Sequence, residues 1–241
     1  MLEGPLADAE IRTHYQFWFF YYPTGQPVPF SAFQLRQALT DASSRYHLSP
    51  PLVLIGHSMG GVIARAQVSR ISADEAKRLL PEVGSLPSYS AARNAIIFEP
   101  RTDVGRVIFI ATPHRGSTVA TGRLAALGMN LIDLPEWIVS ELASISANGG
   151  QLVTSIHGLS PDSQFLQALD RFRADVPVHS IIGDRGQRSK SSSSDGVVSY
   201  SSSHLDFAES ELMIPTGHGG FSDPKAVAEI ARILKLDRLQ E

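Results

Sequence analysis

The sequence predicts an α/β fold in which a mostly parallel sheet is covered by helices on both faces. Short, almost wholly apolar segments recur along the 241 residues, and segments with helical apolar spacing follow several of them. The stretch VLIGHSMGGVIAR, residues 53–65, passes directly from a strand-like to a helix-like pattern. Apolar runs without polar alternation are typical of parallel strands that are buried on both faces.

The composition fits one domain over residues 1–241, because 43% of the residues are hydrophobic and can form a sizeable core. The 21 basic and 24 acidic residues give a net charge of −3, which offers no electrostatic basis for binding nucleic acid or an anionic membrane. The chain has no cysteine, which excludes disulfides and thiolate chemistry. No apolar run is long enough for a membrane span, and the first residues lack the order of a signal peptide. We therefore expect a cytoplasmic protein, and the oligomeric state stays open.

The first predicted elements are a strand and a helix. Residues Tyr15 to Tyr22, YQFWFFYY, are continuously aromatic and apolar and stop at Pro23, which indicates a buried strand. From Ser31 to about His47, apolar residues recur at helical spacing behind a serine that suits the N-cap position.

Further apolar runs predict the remaining strands, and a helix follows the first of them at residues 59–71. The last helix begins near Pro224, with Ser222 or Asp223 as its N-cap. Its buried stripe is predicted to contain Val227, Ile230 and Leu234. The predicted strands lie at 51–56, 105–112, 176–183 and 211–216.

Residues about 115–172 interrupt the alternation of strands and helices. This insertion is predicted to be a lid or a binding wall or, equally, a cap packed permanently on the core. It contains an amphipathic segment around Trp137–Ile145. Its apolar residues could line a tunnel for an apolar chain or fill a small core: Leu124, Leu127, Met129, Leu131, Ile132, Leu134 and Trp137.

Ser58 lies at the junction between a predicted strand and a predicted helix. A serine on so sharp a turn has strained backbone dihedrals, so we interpret Gly56 and Gly60 as avoiding collisions on either side of it. Gly61 would let the helix approach the sheet. At the helix N-terminus, the Met59 N–H is free to stabilise an oxyanion. The pattern predicts a nucleophilic serine, and the alternative is a glycine-rich turn with only a packing role.

A serine nucleophile needs an imidazole that removes its proton and an acid that holds the imidazole. In such folds the chain order is serine, acid, histidine. His218, in PTGHGG, follows the last predicted strand and is the predicted base. His204 is the rival, for which a surface or capping role is favoured. We expect His57 to point to the wrong side of the strand-to-helix turn at Ser58, here called the elbow, to act as the base. The remaining candidates precede or lie within other elements: His114, His157 and His179.

Two aspartates compete for the role of the acid. Asp184 stands at the end of the 176–183 strand and needs no loop excursion, whereas Asp195 stands further on, in SDGVVSYSS. For either residue the alternative is a turn or helix-capping aspartate. Position alone favours Asp184 slightly and leaves the choice open.

Four ordered motifs carry a family resemblance: GHSMGG, IATPHRGS, SDGVVSYSS and the late GHGG. Together they resemble the lipase-like α/β-hydrolases, serine esterases and lipases related to bacterial triacylglycerol lipases and GPI inositol-deacylase-like proteins. FYYPTGQPVPFSAFQLRQAL is similar to the segment upstream of the elbow in a bacterial branch of that group. The resemblance spans nearly the whole chain and implies an α/β-hydrolase fold. It matches Ser58 with the nucleophile, Asp195 with the acid and His218 with the base, which reverses the preference for Asp184. The resemblance also implies that His114 has a structural role and not a catalytic one.

The sequence departs from that family before the elbow. The family has an early strand ending in His-Gly, whose following loop donates the second oxyanion N–H, and nothing before Ser58 matches it. By resemblance, YQFWFFYY corresponds to the strand after the missing one, so we expect a hole in the sheet beside the elbow strand. In one explanation, Met1 is a wrong or engineered start. In another, the hydrolase is naturally shortened, with YQFWFFYY moved into the vacant place and residues 22–25 supplying the donor. In the third, it is an inactive hydrolase. The first two are favoured jointly.

The resemblance and the candidate residues predict a serine carboxylic-ester hydrolase, an esterase or lipase that acts on small acyl esters or lipids through an acyl-enzyme. This chemistry requires neither a metal nor an organic cofactor, although some related lipases carry structural calcium. The alternatives are a catalytically impaired binding protein with the hydrolase fold, and an acyltransferase or thioesterase on the same three residues.

Overall fold

The computed structural model describes residues 8–46, 48, 51–79, 83–84, 86–119, 158–186 and 193–238. Within them, four parallel strands form one sheet in the order β1-β2-β3-β4. The strands are β1 (Leu52–His57), β2 (Val104–Ile110), β3 (Val178–Gly183) and β4 (Ser210–Ile214). Every strand predicted after residue 50 is therefore present, and the predicted α/β class is confirmed.

Helices cover both faces of this sheet, as predicted. Successive side chains of a strand point to opposite faces. Val107 and Phe109 pack with Ala64 in one apolar cluster, and Ile108 and Ile110 lie in another cluster with the last helix. The described helices are α1 (Ala9–His14), α2 (Val28–Tyr46), α3 (Met59–Gln67), α4 (Ala73–Leu79), α5 (Ala91–Ile96), α6 (Gln164–Asp170), α7 (Tyr200–Ser203) and α8 (Pro224–Arg238), with a 3₁₀ turn at Gly220–Ser222.

The start of α8 agrees with the prediction, whereas the start of α2 does not. Asp223 is the N-cap residue of α8, because its carboxylate accepts a hydrogen bond from the Lys225 N–H at 2.8 Å. Helix α2 begins at Val28, so Ser31 lies buried inside it and is not its N-cap. The buried stripe of α8 consists of Ala226, Ile230, Ile233 and Leu234, while Val227 is half-buried. In the described part of the chain, no helix is long and apolar enough to cross a bilayer.

The strand predicted at Tyr15–Tyr22 is wrong, because these residues belong to no strand in the structure. Trp18, Phe19 and Tyr21 are 48%, 63% and 87% exposed. A cavity of about 520 Å³ lies between this segment and β1. The expected hole beside the elbow strand is thus present, and YQFWFFYY has not moved into the vacant place to pair with β1.

The structure describes the two ends of the predicted insertion at 115–172. The Ser117 N–H donates a hydrogen bond to the Leu159 carbonyl at 2.8 Å, which brings the two ends together. Helix α6, with Phe165 and Leu169, packs in the same apolar cluster as α3. Several predictions fall on residues outside the described part of the chain: the amphipathic segment at Trp137–Ile145, the residues that could line a tunnel, His157 and Met1. The lid therefore stays a prediction.

Candidate active site

The turn from β1 into α3 carries Ser58. Its backbone has φ 53° and ψ −126°, in the left-handed region that non-glycine residues rarely adopt. The Ser58 N–H donates to the Ile110 carbonyl at 2.9 Å, which ties the turn to the end of β2. The residue is partly exposed. Such strain persists only where the surrounding structure imposes it, and it is concentrated at functional sites.

Two of the three neighbouring glycines are needed for this turn. A Cβ at Gly56 would lie 2.5 Å from Gly61 Cα, and a Cβ at Gly61 would lie 1.9 Å from Thr112 Oγ1. Helix α3 therefore packs closely on β1 and on the residues that follow β2. A Cβ at Gly60 would meet only the Tyr22 hydroxyl at 3.4 Å, which is an ordinary contact. The interpretation of Gly60 as sterically required is wrong.

The structure brings three predicted site residues together at one edge of the sheet. His218, which follows β4, places Nε2 2.8 Å from Ser58 Oγ. Its Nδ1 lies 2.8 Å from Asp195 Oδ2, and Asp195 stands in the connection between β3 and α7. The Asp195 side chain is 2% exposed and that of His218 is 22% exposed. A continuous hydrogen-bonded chain therefore runs from a buried carboxylate to a hydroxyl that solvent can reach.

The Asp195 carboxylate is held by backbone as well as by His218. Its Oδ1 accepts hydrogen bonds from the N–H groups of Val197, at 2.8 Å, and Val198, at 2.7 Å. Burial alone would raise the pKa of Asp195, but the hydrogen bonds from His218, Val198 and Val197 outweigh it and lower the pKa below its usual value. Asp195 is therefore ionised at neutral pH.

Asp184, which position alone favoured slightly, does not contact His218 in the structure. Its Oδ1 accepts from the Gly186 N–H at 3.1 Å, which is the turn-capping arrangement. The chain after Asp184 folds back, so that a Cβ on Gly183 would lie 2.8 Å from the Asp195 Cβ. Asp195 thus returns to the end of β3 although it stands twelve positions after Gly183.

His57 lies against the loop that carries His218, and our expectation that it points to the wrong side of the elbow is wrong. Its Nε2 lies 2.8 Å from the His218 carbonyl oxygen. The two rings are 5.0 Å apart, and Phe221 packs edge-on against His57 at 4.8 Å. Burial lowers the pKa of His57, so the ring is neutral at pH 7 and its Nε2–H donates to the carbonyl. Its place directly before Ser58 is the sequence signal that could have identified it.

Two other histidines, His204 and His114, make hydrogen-bond or packing contacts that suit structural roles. His204 bonds to the Glu211 carboxylate and to the Tyr200 hydroxyl, in keeping with the surface role favoured for it. His114 is fully buried, and its ring lies edge-on to Phe109 at 4.6 Å. Burial lowers the pKa of His114 well below its usual value. Neither of its ring nitrogens has a hydrogen-bond partner among the described residues.

His179 belongs to a buried polar cluster near the start of β3. Arg106 Nη1 lies 2.6 Å from His179 Nε2, and His179 Nδ1 lies 2.7 Å from Ser210 Oγ. Because a guanidinium only donates hydrogen bonds, Nε2 must be an unprotonated acceptor. Burial and the neighbouring Arg106 charge lower the pKa of His179 to about 4.

Met59 is the residue whose N–H is predicted to stabilise an oxyanion. It is the first residue of α3, and the first N–H groups of a helix have no acceptor within that helix. The helix dipole adds partial positive charge at the same end. Over the described ranges, no group of three or more metal-ligating side chains is close enough to hold an ion.

No family model and no curated protein matches the sequence. The structure is similar to that of the mature lipase BlEst2 from Bacillus licheniformis, at 16% identity over 87% of this chain and 75% of that chain, with a TM-score of 0.49. EstA from Clostridium botulinum is 18% identical over 76% of this chain and 64% of that one, with a TM-score of 0.46. Phospholipase PlaB from Legionella pneumophila is 15% identical over 78% of this chain and 36% of that one, with a TM-score of 0.45. This similarity concerns the fold and carries no statement about the activity of this chain.

Proposed function

We propose that this protein is a serine carboxylic-ester hydrolase that acts on small acyl esters or lipids through an acyl-enzyme. The observation that carries the proposal is the hydrogen-bonded chain of Ser58, His218 and Asp195, with both contacts at 2.8 Å. Along the sequence these residues occur in the order serine, acid, histidine, which is the order expected for this fold. An imidazole within hydrogen-bond reach of a strained, accessible hydroxyl is the arrangement that activates a serine.

In the proposed first half-reaction, Ser58 Oγ attacks the ester carbonyl carbon while His218 Nε2 takes the hydroxyl proton. The carbonyl oxygen of the resulting tetrahedral intermediate accepts a hydrogen bond from the Met59 N–H. When the intermediate collapses, the bond to the alkoxy oxygen breaks and His218 returns the proton to the leaving alcohol. Asp195 accepts from the His218 Nδ1–H, which keeps Nε2 free as a base and stabilises the imidazolium.

In the second half-reaction, water attacks the acyl group on Ser58 and His218 takes one of its protons. The bond to Ser58 Oγ then breaks, the proton returns to the serine, and the carboxylic acid leaves. His57 supports both steps because it donates to the His218 carbonyl and so fixes the loop that carries the base. It is a positioning residue that acts through His218.

The test combines turnover with active-site labelling. Ser58→Ala is expected to lower the hydrolysis of p-nitrophenyl butyrate or octanoate by about 10⁶-fold, which leaves the residual rate that substrate binding and the oxyanion site support. A fluorophosphonate probe should add one adduct to the unaltered protein and none to Ser58→Ala, as measured by intact mass. Ser201→Ala is the matched control, because Ser201 is exposed and lies outside the hydrogen-bonded chain.

Labelling of Ser58→Ala at the normal rate would show that the nucleophile is another residue. An unaltered protein that neither reacts with the probe nor hydrolyses either ester would favour the binding-protein alternative. Hydrolysis with ready transfer to an added alcohol or thiol would favour the acyltransferase alternative.

A further inference from the structure

The peptide unit that joins Val197 to Val198 is hydrogen-bonded at both of its polar groups. Its N–H, which belongs to Val198, donates to Asp195 Oδ1 at 2.7 Å. Its carbonyl oxygen, which belongs to Val197, accepts a hydrogen bond from the hydroxyl of Ser117. Among the described residues, no second donor reaches this carbonyl. One peptide unit therefore connects the carboxylate of the proposed catalytic acid with a serine that stands 80 positions before Val197.

The two hydrogen bonds of this peptide unit strengthen each other. A donor at the carbonyl oxygen draws electron density toward that oxygen, and the N–H of the same peptide becomes a better donor. The effect is larger away from water, where the dielectric constant is low. Val198 and Asp195 are both 1% exposed, so water does not compete for the bond between them. The Ser117 hydroxyl thus strengthens one of the two backbone hydrogen bonds that hold the Asp195 carboxylate.

The backbone of Ser117 is anchored in the core, which fixes the position of its hydroxyl. The Ser117 N–H donates to the carbonyl of Leu159 at 2.8 Å, and Leu159 is fully buried. The preceding residue, Gly116, has φ 80°, and a Cβ there would lie 2.5 Å from the backbone nitrogen of Pro161. The two flanks of the insertion are therefore in close contact at this point. Ser117 is itself 6% exposed, with its hydroxyl on the Val197 carbonyl.

A second hydroxyl ties the same segment to α7. Ser202 Oγ donates to the Gly116 carbonyl at 2.6 Å and accepts from the Arg115 N–H at 3.2 Å. Ser202 is 4% exposed, so its burial is close to that of Ser117. Its hydroxyl holds the segment in place, but neither of these two bonds reaches a peptide that donates to Asp195. Ser202 is therefore a matched control for Ser117.

We propose that Ser117 is a positioning residue for the catalytic acid, because its hydroxyl holds the Val197–Val198 peptide and this peptide holds the Asp195 carboxylate toward His218. Without the hydroxyl, the Val198 N–H donates less strongly and the carboxylate is freer to turn away from His218 Nδ1. The inference rests on the proposed ester hydrolysis, and it adds a residue that touches neither the substrate nor the reacting atoms. Since Ser117 lies at the start of the insertion, the same contact joins the insertion to the catalytic acid.

The first measurement is the hydrolysis of p-nitrophenyl butyrate. Ser117→Ala should lower kcat by about threefold to tenfold, the effect of one neutral hydrogen bond, and should change KM by less than about twofold. Ser202→Ala removes a hydroxyl of similar burial and should keep kcat within about twofold of the unaltered protein. Ser117→Thr and Ser117→Val add nearly the same volume, but only threonine keeps a hydroxyl. The threonine variant should therefore have the higher kcat of the two.

A double-mutant cycle with Asp195→Asn separates positioning of the acid from a general loss of folded protein. The residual turnover of Asp195→Asn does not depend on a correctly held carboxylate. A further Ser117→Ala should therefore change that turnover by less than about twofold. A merely structural role would lower turnover by the same factor in both backgrounds.

Amide hydrogen exchange on ¹⁵N-labelled protein tests the contact without turnover. In Ser117→Ala, the Val198 amide should exchange at least about threefold faster, because its bond to Asp195 is weaker. The Val197 amide also donates to Asp195, but it belongs to the preceding peptide unit and should change less. If the unaltered protein hydrolyses no ester, the proposed function fails, and these two exchange rates alone decide whether Ser117 holds the carboxylate.

Four results would overturn the proposal. Ser117→Ala could keep kcat within twofold of the unaltered protein, or the threonine and valine variants could have equal kcat. Ser117→Ala could lower turnover by the same factor with and without Asp195→Asn. The Val198 amide could also exchange no faster in Ser117→Ala, or accelerate only as much as the Val197 amide does.

Discussion

Replacement of Asp195 by asparagine tests the proposed proton relay at a single atom. Oδ1 of Asp195 accepts from the N–H groups of Val197 and Val198, so the asparagine must keep its carbonyl oxygen at that position. Its NH₂ group then faces His218 Nδ1, where a carboxylate oxygen stood at 2.8 Å. An NH₂ group donates, so the ring proton of His218 moves to Nε2. The imidazole then cannot accept the proton of Ser58.

The loss of the correct tautomer is expected to lower kcat about 10⁴-fold. At about 1.36 kcal/mol for each factor of ten, this is about 5.4 kcal/mol of transition-state stabilisation. The assay is hydrolysis of p-nitrophenyl butyrate at saturating concentration, with the rate of fluorophosphonate labelling as a second measurement. The two backbone hydrogen bonds to Oδ1 survive in Asp195→Asn, so its thermal midpoint should stay within a few degrees of the unaltered protein.

Asp184→Asn is the matched control. An asparagine at this position still accepts from the Gly186 N–H through its carbonyl oxygen, so kcat should change by less than about twofold. A loss below tenfold for Asp195→Asn would show that the relay does not operate as proposed. A larger loss for Asp184→Asn than for Asp195→Asn would assign the acid to Asp184.

Three further variants test the packing, the positioning and the electrostatics. Gly56→Ala should lower the free energy of unfolding by about 1–3 kcal/mol or more, whereas Gly60→Ala should leave the urea midpoint unchanged or raise it slightly. Equal effects of the two alanines would contradict the assigned contacts. His57→Phe should lower kcat about twofold to tenfold through loss of its bond to the His218 carbonyl, and His57→Gln, which keeps a donor, should retain more of the activity. A phenylalanine variant with unchanged kcat would remove the positioning role. The pKa of His179 is lowered from 6.5 to about 4, so between these values the unfolded chain binds a proton that the folded chain does not. The contribution of His179 to the free energy of unfolding is therefore fully present above pH 6.5 and is lost as the pH falls toward 4, by at most about 1.4 kcal/mol per pH unit. In urea unfolding, His179→Gln should show a shallower fall of this free energy with decreasing pH. A slope identical to that of the unaltered protein would refute this assignment.

The strands of the sheet could be predicted because their evidence is local. Each is a short apolar run, and parallel neighbours bury such runs on both faces. The segment at 15–22 has the same pattern, but a strand also needs a hydrogen-bonding neighbour, and the residues beside it enclose a cavity. The start of α2 was missed for a different reason. Pro29 fits the first turn of a helix, and the Pro27 carbonyl accepts from the Ser31 N–H at 3.2 Å, so the helix begins before the serine that resembled its cap.

The site could be predicted in part from contiguous residues. Ser58 and Met59 follow from the strand-to-helix junction, and His218 follows from the chain order. The residues alone did not select Asp195, because the connection after β3 folds back to the end of that strand and its path is a tertiary property. The contact of His57 was missed for the same reason, since its hydrogen-bond acceptor lies in the His218 loop, far along the chain.

The hydrogen bond between Ser117 and Leu159 joins the two described flanks of the insertion at 115–172. Arg115 and Asp170, which form an ion pair at 2.9 Å, join the same two flanks a second time. Both contacts belong to the flanks themselves, and the entropy cost of closing a connection between two fixed points rises only slowly with its length. A change in the number of residues between the flanks is therefore expected to cost little stability as long as both contacts remain in place.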